Sequence, residues 1–479
     1  MLDLIYKNLP VMPEIWVLTM ACVILLTGVF FKKQPYLIYI LAQLTVIASA
    51  WVTMFAYSHT RTVSYFFHDS FIWDHLAIVM KSFTYVVVFF CFMFVKEYNE
   101  EHDIPTHEFY VLSLLSMLGM MVLISAANLL TLYLGLELMS LPIYAMVALK
   151  RYKLRCLEAA VKYFVIGALA SGLLLYGFSL LFGISGSLQL HDIASRLANL
   201  SSHQSLLAVC AMVFVIAGVA FKLGAVPFHM WVPDVYDGAP NSVTLFLSSA
   251  PKLAAFVLLT RLLLSSLLKY SILWHEMLIV IAVLSIVLGN LSAIVQVNIK
   301  RMLAYSSIAH IGYMLLGFCA ANQRGYSSAM FYILNYVFMS VAAFGLLTAI
   351  SRRGVEVTDI KDLAGMNERN PWLAFMMLLV LFSLAGVPPL VGFIAKIGVL
   401  EALIQAHLVW LAVLAIIFAI VGVYYYINVV KVMYFSEVES PQRFYVSAES
   451  NIAISITGIA LLLLGVFPGA LFGVCRLLF

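Results

Sequence analysis

The sequence predicts an all-α polytopic membrane protein of about 14 transmembrane helices, containing two inverted five-helix repeats and two broken helices. Three observations carry that prediction. Of 479 residues, 64% are hydrophobic and only 10% charged, with a mean hydropathy of +1.04, whereas a soluble domain carries about a quarter charged residues. Apolar windows of about 20 residues, the length that crosses the hydrocarbon of a bilayer, recur along the whole chain. Lysine and arginine fall preferentially into alternate loops.

The spans read as follows, with the residues that matter in each. The first, 14–31, has an acidic, proline-containing lead-in and no small-residue cleavage site, so it reads as a retained span and not a signal peptide. Spans 35–57 and 73–95 follow, the latter holding Lys81. Spans 109–126, 128–149 and 157–183 come next; the fifth contains Glu137, read as the lone mid-span carboxylate, and the sixth contains Lys162. The seventh, 205–225, carries Lys222 and runs into Pro227, and the eighth, 240–265, carries Lys252. Spans 275–297, 300–320 and 326–350 lead to the twelfth, 372–405, which continues past Pro388 and Pro389 to Lys396. Spans 408–434 and 450–475 complete the set. The domain reading is 1–108 (helices 1–3), 109–265 (first five-helix repeat), 266–434 (second repeat) and 435–479 (last helix).

Basic residues fix the expected orientation. One set of alternate loops holds fifteen, including Lys32, Lys33, Lys150, Arg151, Arg301, Arg352, Arg353 and Arg443; the other, with both termini, holds seven: Lys7, Arg61, Arg196, Arg261, Lys269, Arg324 and Arg476. The five intramembrane lysines complete the 27. The termini are therefore expected to face away from the cytoplasm.

Several chemistries are disfavoured. The six cysteines are scattered without a C-x-x-C pair, against an iron–sulfur cluster or a disulfide framework. There is no Gly-rich phosphate loop and no H-E-x-x-H, and most of the eleven histidines fall in loops or at helix ends. No cofactor and no metal are expected on this chain.

What remains is charge in the membrane. A charged side chain at mid-bilayer costs about 2.5–3.5 kcal/mol on insertion scales, so Lys81, Lys162, Lys222, Lys252 and Lys396 are candidates for ion movement. Burial favours a neutral lysine and a nearby carboxylate the charged one, so a lysine of this kind can hold or release a proton as a neighbouring charge changes. Polar stripes accompany these lysines: Tyr133, Glu137, Ser140 and Tyr144; Thr244, Ser248 and Lys252; Ser306, His310 and Tyr313 beside Tyr305; and Tyr332, Asn335, Tyr336 and Ser340. They read either as the lining of a hydrated path or as ordinary interhelical hydrogen bonding. Leu223–Pro227 repeats as Leu384–Pro388, 161 residues and five helices later, an odd offset that makes the copies inverted. Proline in each opens a polar gap in mid-membrane; the plainer reading is two kinked helices packed for shape.

Specific motifs then carry a resemblance. The run from Phe221 to Pro240, with "VPFHMWVPDVYDGAP" followed by "APKLAAF", resembles the signature of the antiporter-like membrane subunits of respiratory complex I, NADH-quinone oxidoreductase. "LYLGLELMSLPIY" around Glu137, "NIKRMLAYSSIAHIGYM" and "SLAGVPPLVGFIAK" agree with it, and the likeness covers nearly the whole chain. The resemblance implies a proton-translocating subunit with no redox centre of its own; NAD, FMN, iron–sulfur clusters and quinone would sit on partner subunits, beside neighbouring antiporter-like and small membrane subunits, with no nucleic acid partner. It further implies that Glu137 and Lys222 are a coupled acid–base pair, Lys162 its modulator, Lys252 the connecting lysine and Lys396 the terminal one, with His229 and His310 at polar positions. Lys81 departs from the family pattern and reads as a structural residue snorkelling to the outer interface. Two other readings are kept: a subunit of a multi-subunit sodium/proton antiporter, and a scaffold whose charges do no transport.

Overall fold

The computed structural model describes residues 9–31, 34–60, 62–198, 202–352, 356–437 and 444–479. Lys7, Lys32, Lys33, Arg61, Arg353 and Arg443, used above for orientation, lie outside them. Among the described residues, thirteen helices are long and apolar enough to cross a membrane. The predicted twelfth span is a pair of half-helices, Pro371–Ala385 and Val391–Gln405. The last span is shorter than expected, Ala448–Val466, because Pro468 separates it from Gly469–Leu477. A small antiparallel hairpin, Ser64–Phe66 with Phe71–Trp73, precedes the third span and was not predicted; its strands of three residues are too short for an alternating pattern to register.

The chain forms two compact units, one of Met1–Phe92, Asp103–Val219 and Ala250–Ser271, the other of Met93–His102, Ala220–Ser249 and Ile272–Phe479. In the first, Thr106–Ile124 and Leu129–Val147 pack tightly because glycine faces backbone: a Cβ on Gly119 would lie 2.2 Å from the Met139 nitrogen, and one on Gly135 2.6 Å from that of Leu123. Small residues permit this approach where lipid supplies no hydrophobic drive. In the second, Gln323–Ile350 is almost wholly buried, enclosed by Asn241–Ser248, Ile299–Cys319, Val391–Gln405 and Ala448–Val466.

Both helix breaks lie in the second unit and share one design. Gly224 (φ 77°) and Gly386 (φ 82°) adopt the left-handed conformation in which glycine is unstrained. The amide of the next residue reaches back five positions: Ala225 N–H donates to Ala220 O and Val387 N–H to Phe382 O, both at 2.9 Å. Each break closes on a cis X-Pro bond, Val226–Pro227 and Pro388–Pro389. These matches place the repeat one residue further on than the sequence suggested, at an offset of 162, aligning Pro227 with Pro389. Sequence identity fixed on the first proline of a pair, whereas backbone geometry picks out the second.

The eighth span departs from a simple rod. It is helical over Asn241–Ser248 and again over Ala250–Thr260, interrupted at Ser249 (φ −115°, ψ −91°), and it ends in a π-turn, Arg261–Ser266. Pro251 cannot donate to Leu247, so the ladder fails there. The expected stripe of Thr244, Ser248 and Lys252 presumed one continuous ladder and is interrupted with it.

Lys81 overturns its sequence reading. It does not snorkel: its side chain is 0% exposed and its Nζ donates to Glu14 at 2.5 Å. The rings of Phe71 and Trp73 cover it, with centroids 4.7 and 5.7 Å from Nζ. Glu14 lies in the first turn of Met12–Phe30 and is 6% exposed, so Glu137 is not the only buried carboxylate in a span. Its sequence position, at the predicted helix start, concealed it.

A second ion pair, also in the first unit, joins Asp74 to Arg261. Burial opposes ionisation of Asp74, but the Arg261 guanidinium and the Ala77 amide more than offset it and hold the carboxyl below its usual range.

Two measurements follow. Lys81→Met leaves Glu14 uncompensated and is expected to destabilise the solubilised protein by about 3–5 kcal/mol, whereas Lys81→Met with Glu14→Gln recovers most of that loss; a double variant as unstable as the single one would contradict the pairing. Asp74 has a depressed folded pKa, so its contribution is present above the unfolded value of about 3.9 and is lost as pH falls through the folded value. The melting temperature of Asp74→Asn is expected below native at pH 7, the gap closing below about pH 4.

Candidate functional site

In the first unit, Glu137 lies in Leu129–Val147, five residues before Pro142. That proline leaves the Leu138 carbonyl without its helical donor, so the backbone beside Glu137 is polar. Glu137 is half-buried, and its Oε1 is buried without a hydrogen-bond partner among the described residues. Of its predicted stripe, Ser140 donates to Leu136 O at 2.7 Å within its own helix, and the Tyr144 ring meets Tyr163 edge-on at 4.6 Å. Lys252 is buried, 4% exposed, one residue after Pro251. Lys162 is not buried: its side chain is 44% exposed and pairs with Glu158 at 2.8 Å, one helical turn away. Its apolar surroundings in sequence reflect a membrane-facing helix surface and not a core.

In the second unit, Lys222 is half-buried at the end of Ser202–Leu223, two residues before Gly224. The break below it is held open by specific donors. Trp231 Nε1 donates to Phe221 O at 3.0 Å, and the Val226 amide donates to Ser285 Oγ at 2.9 Å. A short helix, Trp231–Gly238, continues past the break. It is anchored by Arg301 to Asp234 at 3.1 Å, by Asn298 Nδ2 to Asp237 Oδ1 at 2.9 Å and by Lys300 Nζ to Ala239 O at 3.1 Å. His229 sits in the link itself, half-buried.

Lys396 stands at the second break. Its Nζ donates to Ala385 O at 2.7 Å and Leu384 O at 3.3 Å, two of the carbonyls that the end of Pro371–Ala385 leaves without intrahelical partners. A cation there also meets the negative end of the helix dipole. Gly386 is required twice over, by its φ and because a Cβ would lie 2.9 Å from Lys396 Cδ. The Tyr313 ring lies 5.4 Å from Nζ.

Next to Tyr313 runs a buried hydrogen-bonded chain. His310 Nδ1 meets Tyr332 Oη at 2.7 Å, and its Nε2 meets Tyr426 Oη at 3.2 Å; Tyr426 Oη is also hydrogen-bonded to Ser306 Oγ. Tyr336 stacks on the imidazole at 5.0 Å, and Tyr313 stacks on Tyr332 at 6.2 Å. Of the predicted polar residues, Ser306, His310, Tyr332 and Tyr336 are therefore brought together. Tyr305 is half-buried, its carbonyl packed against Gly289. Asn335 donates to Phe331 O in its own helix, and Ser340 bonds to Ser248, which is the packing role the sequence left open. Tyr426 was missed. The run Tyr424-Tyr425-Tyr426 in an apolar span was the available signal; Tyr425 also takes part, donating to Asn290 Oδ1 at 3.2 Å.

The arrangement has a definite chemistry. A neutral imidazole donates from one nitrogen and accepts at the other, so the Tyr332 and Tyr426 hydroxyls take opposite roles toward His310. A proton arriving at one nitrogen and leaving from the other reverses both roles without moving a heavy atom. Among the described residues no group of three or more His, Cys, Asp or Glu could hold a metal ion.

A family model described as NADH:quinone oxidoreductase/Mrp antiporter, TM matches residues 126–422. NADH-quinone oxidoreductase subunit N of Coxiella burnetii is 58% identical over 475 residues, 98% of each chain. That of Thioalkalivibrio sulfidiphilus is 48% identical over 465 residues, 97% of this chain and 96% of the relative. Among solved structures, a chain of respiratory complex I from Thermus thermophilus superposes with a TM-score of 0.82 at 30% identity, covering 96% of this chain and 98% of that one. A chain of the Mrp complex from Dietzia sp. DQ12-45-1b shares the fold, with a TM-score of 0.85 at 19% identity over 97% and 96% of the two chains. With these breaks, these lysines and this extent of likeness, the chain belongs to the NADH:quinone oxidoreductase/Mrp antiporter transmembrane family, among the relatives named NADH-quinone oxidoreductase subunit N.

Proposed function

We propose that this chain is a proton-translocating membrane subunit of an NADH-quinone oxidoreductase, seated in a bacterial inner membrane with both termini periplasmic. NADH oxidation and quinone reduction take place on partner subunits, which hold the NAD, FMN, iron–sulfur and quinone sites. The observation that carries the reading is the buried run Ser306–Tyr426–His310–Tyr332, beside the Tyr313 ring over which Lys396 sits. Such a run is costly to bury and suited to passing protons.

In this reading Glu137 and Lys222 act together at proton loading from the cytoplasm, and Lys162 modulates them. Lys252 connects onward, His310 with Tyr332, Tyr336 and Tyr426 carries the proton on, and Lys396 releases it outside. The carbonyls of Leu384 and Ala385 accept hydrogen bonds from Lys396 Nζ and hold it at the break, and a change in a neighbouring charge shifts its proton. Moving one charge against the membrane potential costs about 2.3 kcal/mol per 100 mV. A change of about two pKa units in a buried lysine is of similar size, so lysine cycling suffices energetically. The exposed Lys162–Glu158 pair marks a contact surface for a neighbouring membrane subunit, since lipid would be a poor solvent for both charges. The domain reading of two inverted five-helix repeats is part of the same proposal, and the matched breaks support it.

Lys222→Ala in complex reconstituted in liposomes, with assembly checked on native gels, is expected to lower proton uptake driven by NADH oxidation. Wild-type turnover and wild-type stoichiometry together would remove Lys222 from the relay. Tyr426→Phe deletes one hydroxyl of the run and is expected to slow coupled turnover about tenfold, the worth of one hydrogen bond of roughly 1.4 kcal/mol. Unaltered coupled turnover in that variant would leave His310 without a proton-carrying role on its Nε2 side.

A further inference from the structure

The helix that carries Lys252 is short and irregular at both ends. Ala250–Thr260 begins where the backbone departs from helical geometry at Ser249, beside Pro251, and ends in the π-turn Arg261–Ser266. A π-turn is a recurrent device at functional sites, because it shifts the angular register of what it joins. With the ladder interrupted on both sides, the rotation of these eleven residues about their axis is not inherited from a long continuous helix. It is set by the helix's packing, which includes Thr106–Ile124 alongside it and the contacts at its ends.

The π-turn packs against Leu190–Leu197, and one of its side chains ties it to Asp74 and Ile124. Arg261 is 6% exposed. Its Nη1 donates to Asp74 Oδ2 and its Nη2 to Asp74 Oδ1, both at 2.9 Å, and its Nε donates to Ile124 O at 3.0 Å. A planar guanidinium engaged this way fixes direction as well as distance. Its partners are themselves fixed: Asp74 Oδ1 accepts the Ala77 amide at 2.8 Å, and Ile124 is the last residue of Thr106–Ile124. Arg261 also lines a cavity of about 610 Å³ together with Asp69, Gln189, His191 and Asp192. Lys252 lies nine residues from Arg261 along this rod, about 13 Å by helical rise.

We propose that the Arg261–Asp74 pair is a positioning element for Lys252, setting the rotation of Ala250–Thr260 and with it the direction in which the lysine presents its proton. The pair touches no reacting atom; it acts through the helix. The inference rests on the reading of Lys252 as a relay lysine.

The test uses the assembled complex in liposomes and compares Lys252→Ala, Asp74→Asn, Arg261→Lys and the double variant Lys252→Ala/Asp74→Asn. Protons moved per NADH and the pH profile of coupled turnover are recorded. Asp74→Asn is expected to lower the proton ratio toward that of Lys252→Ala and to shift the pH profile. Arg261→Lys, which keeps the charge without the fork, is expected to fall between it and native. The double variant is expected to lose no more than Lys252→Ala alone, since both act through one group. A native ratio and pH profile in Asp74→Asn, or additive losses in the double variant, overturn the positioning role while leaving Lys252 in the relay. A native ratio in Lys252→Ala overturns the relay reading itself and the inference with it. Should neither Asp74→Asn nor Arg261→Lys assemble, the pair is a stability clamp and the inference fails.

Discussion

Inside a bilayer every backbone donor and acceptor has to be satisfied by protein, and this chain stops helices partway across, most sharply at Gly224 and Gly386. Everything distinctive about it follows from how those ends are satisfied. At the first break the Phe221 carbonyl takes the Trp231 indole N–H, and the Val226 amide is capped by Ser285. At the second, the Gly392 amide donates to Ser383 Oγ, and the last carbonyls of Pro371–Ala385 take the ammonium of Lys396. The lysine at the second break is therefore part of the solution to a backbone problem. Its Nζ sits there because the end carbonyls of the helix need a donor.

The other charges sort by the same criterion. Lys81 with Glu14 and Arg261 with Asp74 are closed ion pairs, each holding its partner in place. Lys252 is buried and Lys396 half-buried against the carbonyls of Leu384 and Ala385, and Glu137 keeps a buried oxygen without a hydrogen-bond partner among the described residues. A transport path needs groups whose two protonation states are close in energy. On the proposed reading, the closed pairs belong to the architecture and the remaining charged groups to transport.

The His310 chain shows why polar stripes are hard to read. Ser306, His310, Tyr332, Asn335 and Ser340 looked equivalent in sequence, all polar residues on apolar helices. Asn335 and Ser340 turn out to bond to backbone and to Ser248, whereas His310 bridges Tyr332 and Tyr426. What separates them is a partner on the thirteenth span, Tyr426, more than a hundred residues away. No periodicity within one helix carries that information.

The sequence by itself determined the membrane class, the fourteen spans, the two broken helices and the positions of Lys222, Lys252 and Lys396, because hydropathy and proline chemistry act locally. It also carried the family, through the run around Val226–Pro240. It did not determine which charges are paired: Lys81 read as a snorkelling residue and is sealed against Glu14, while Lys162 read as buried and lies on the outer surface. Nor did it show the interruption at Ser249, the π-turn at Arg261 or the one-residue register of the repeat. Those depend on which helix faces which, and a partner's carboxylate, carbonyl or ring is supplied only when distant segments pack. The tertiary structure alone decided whether a lysine in an apolar stretch became a strut or a candidate proton carrier.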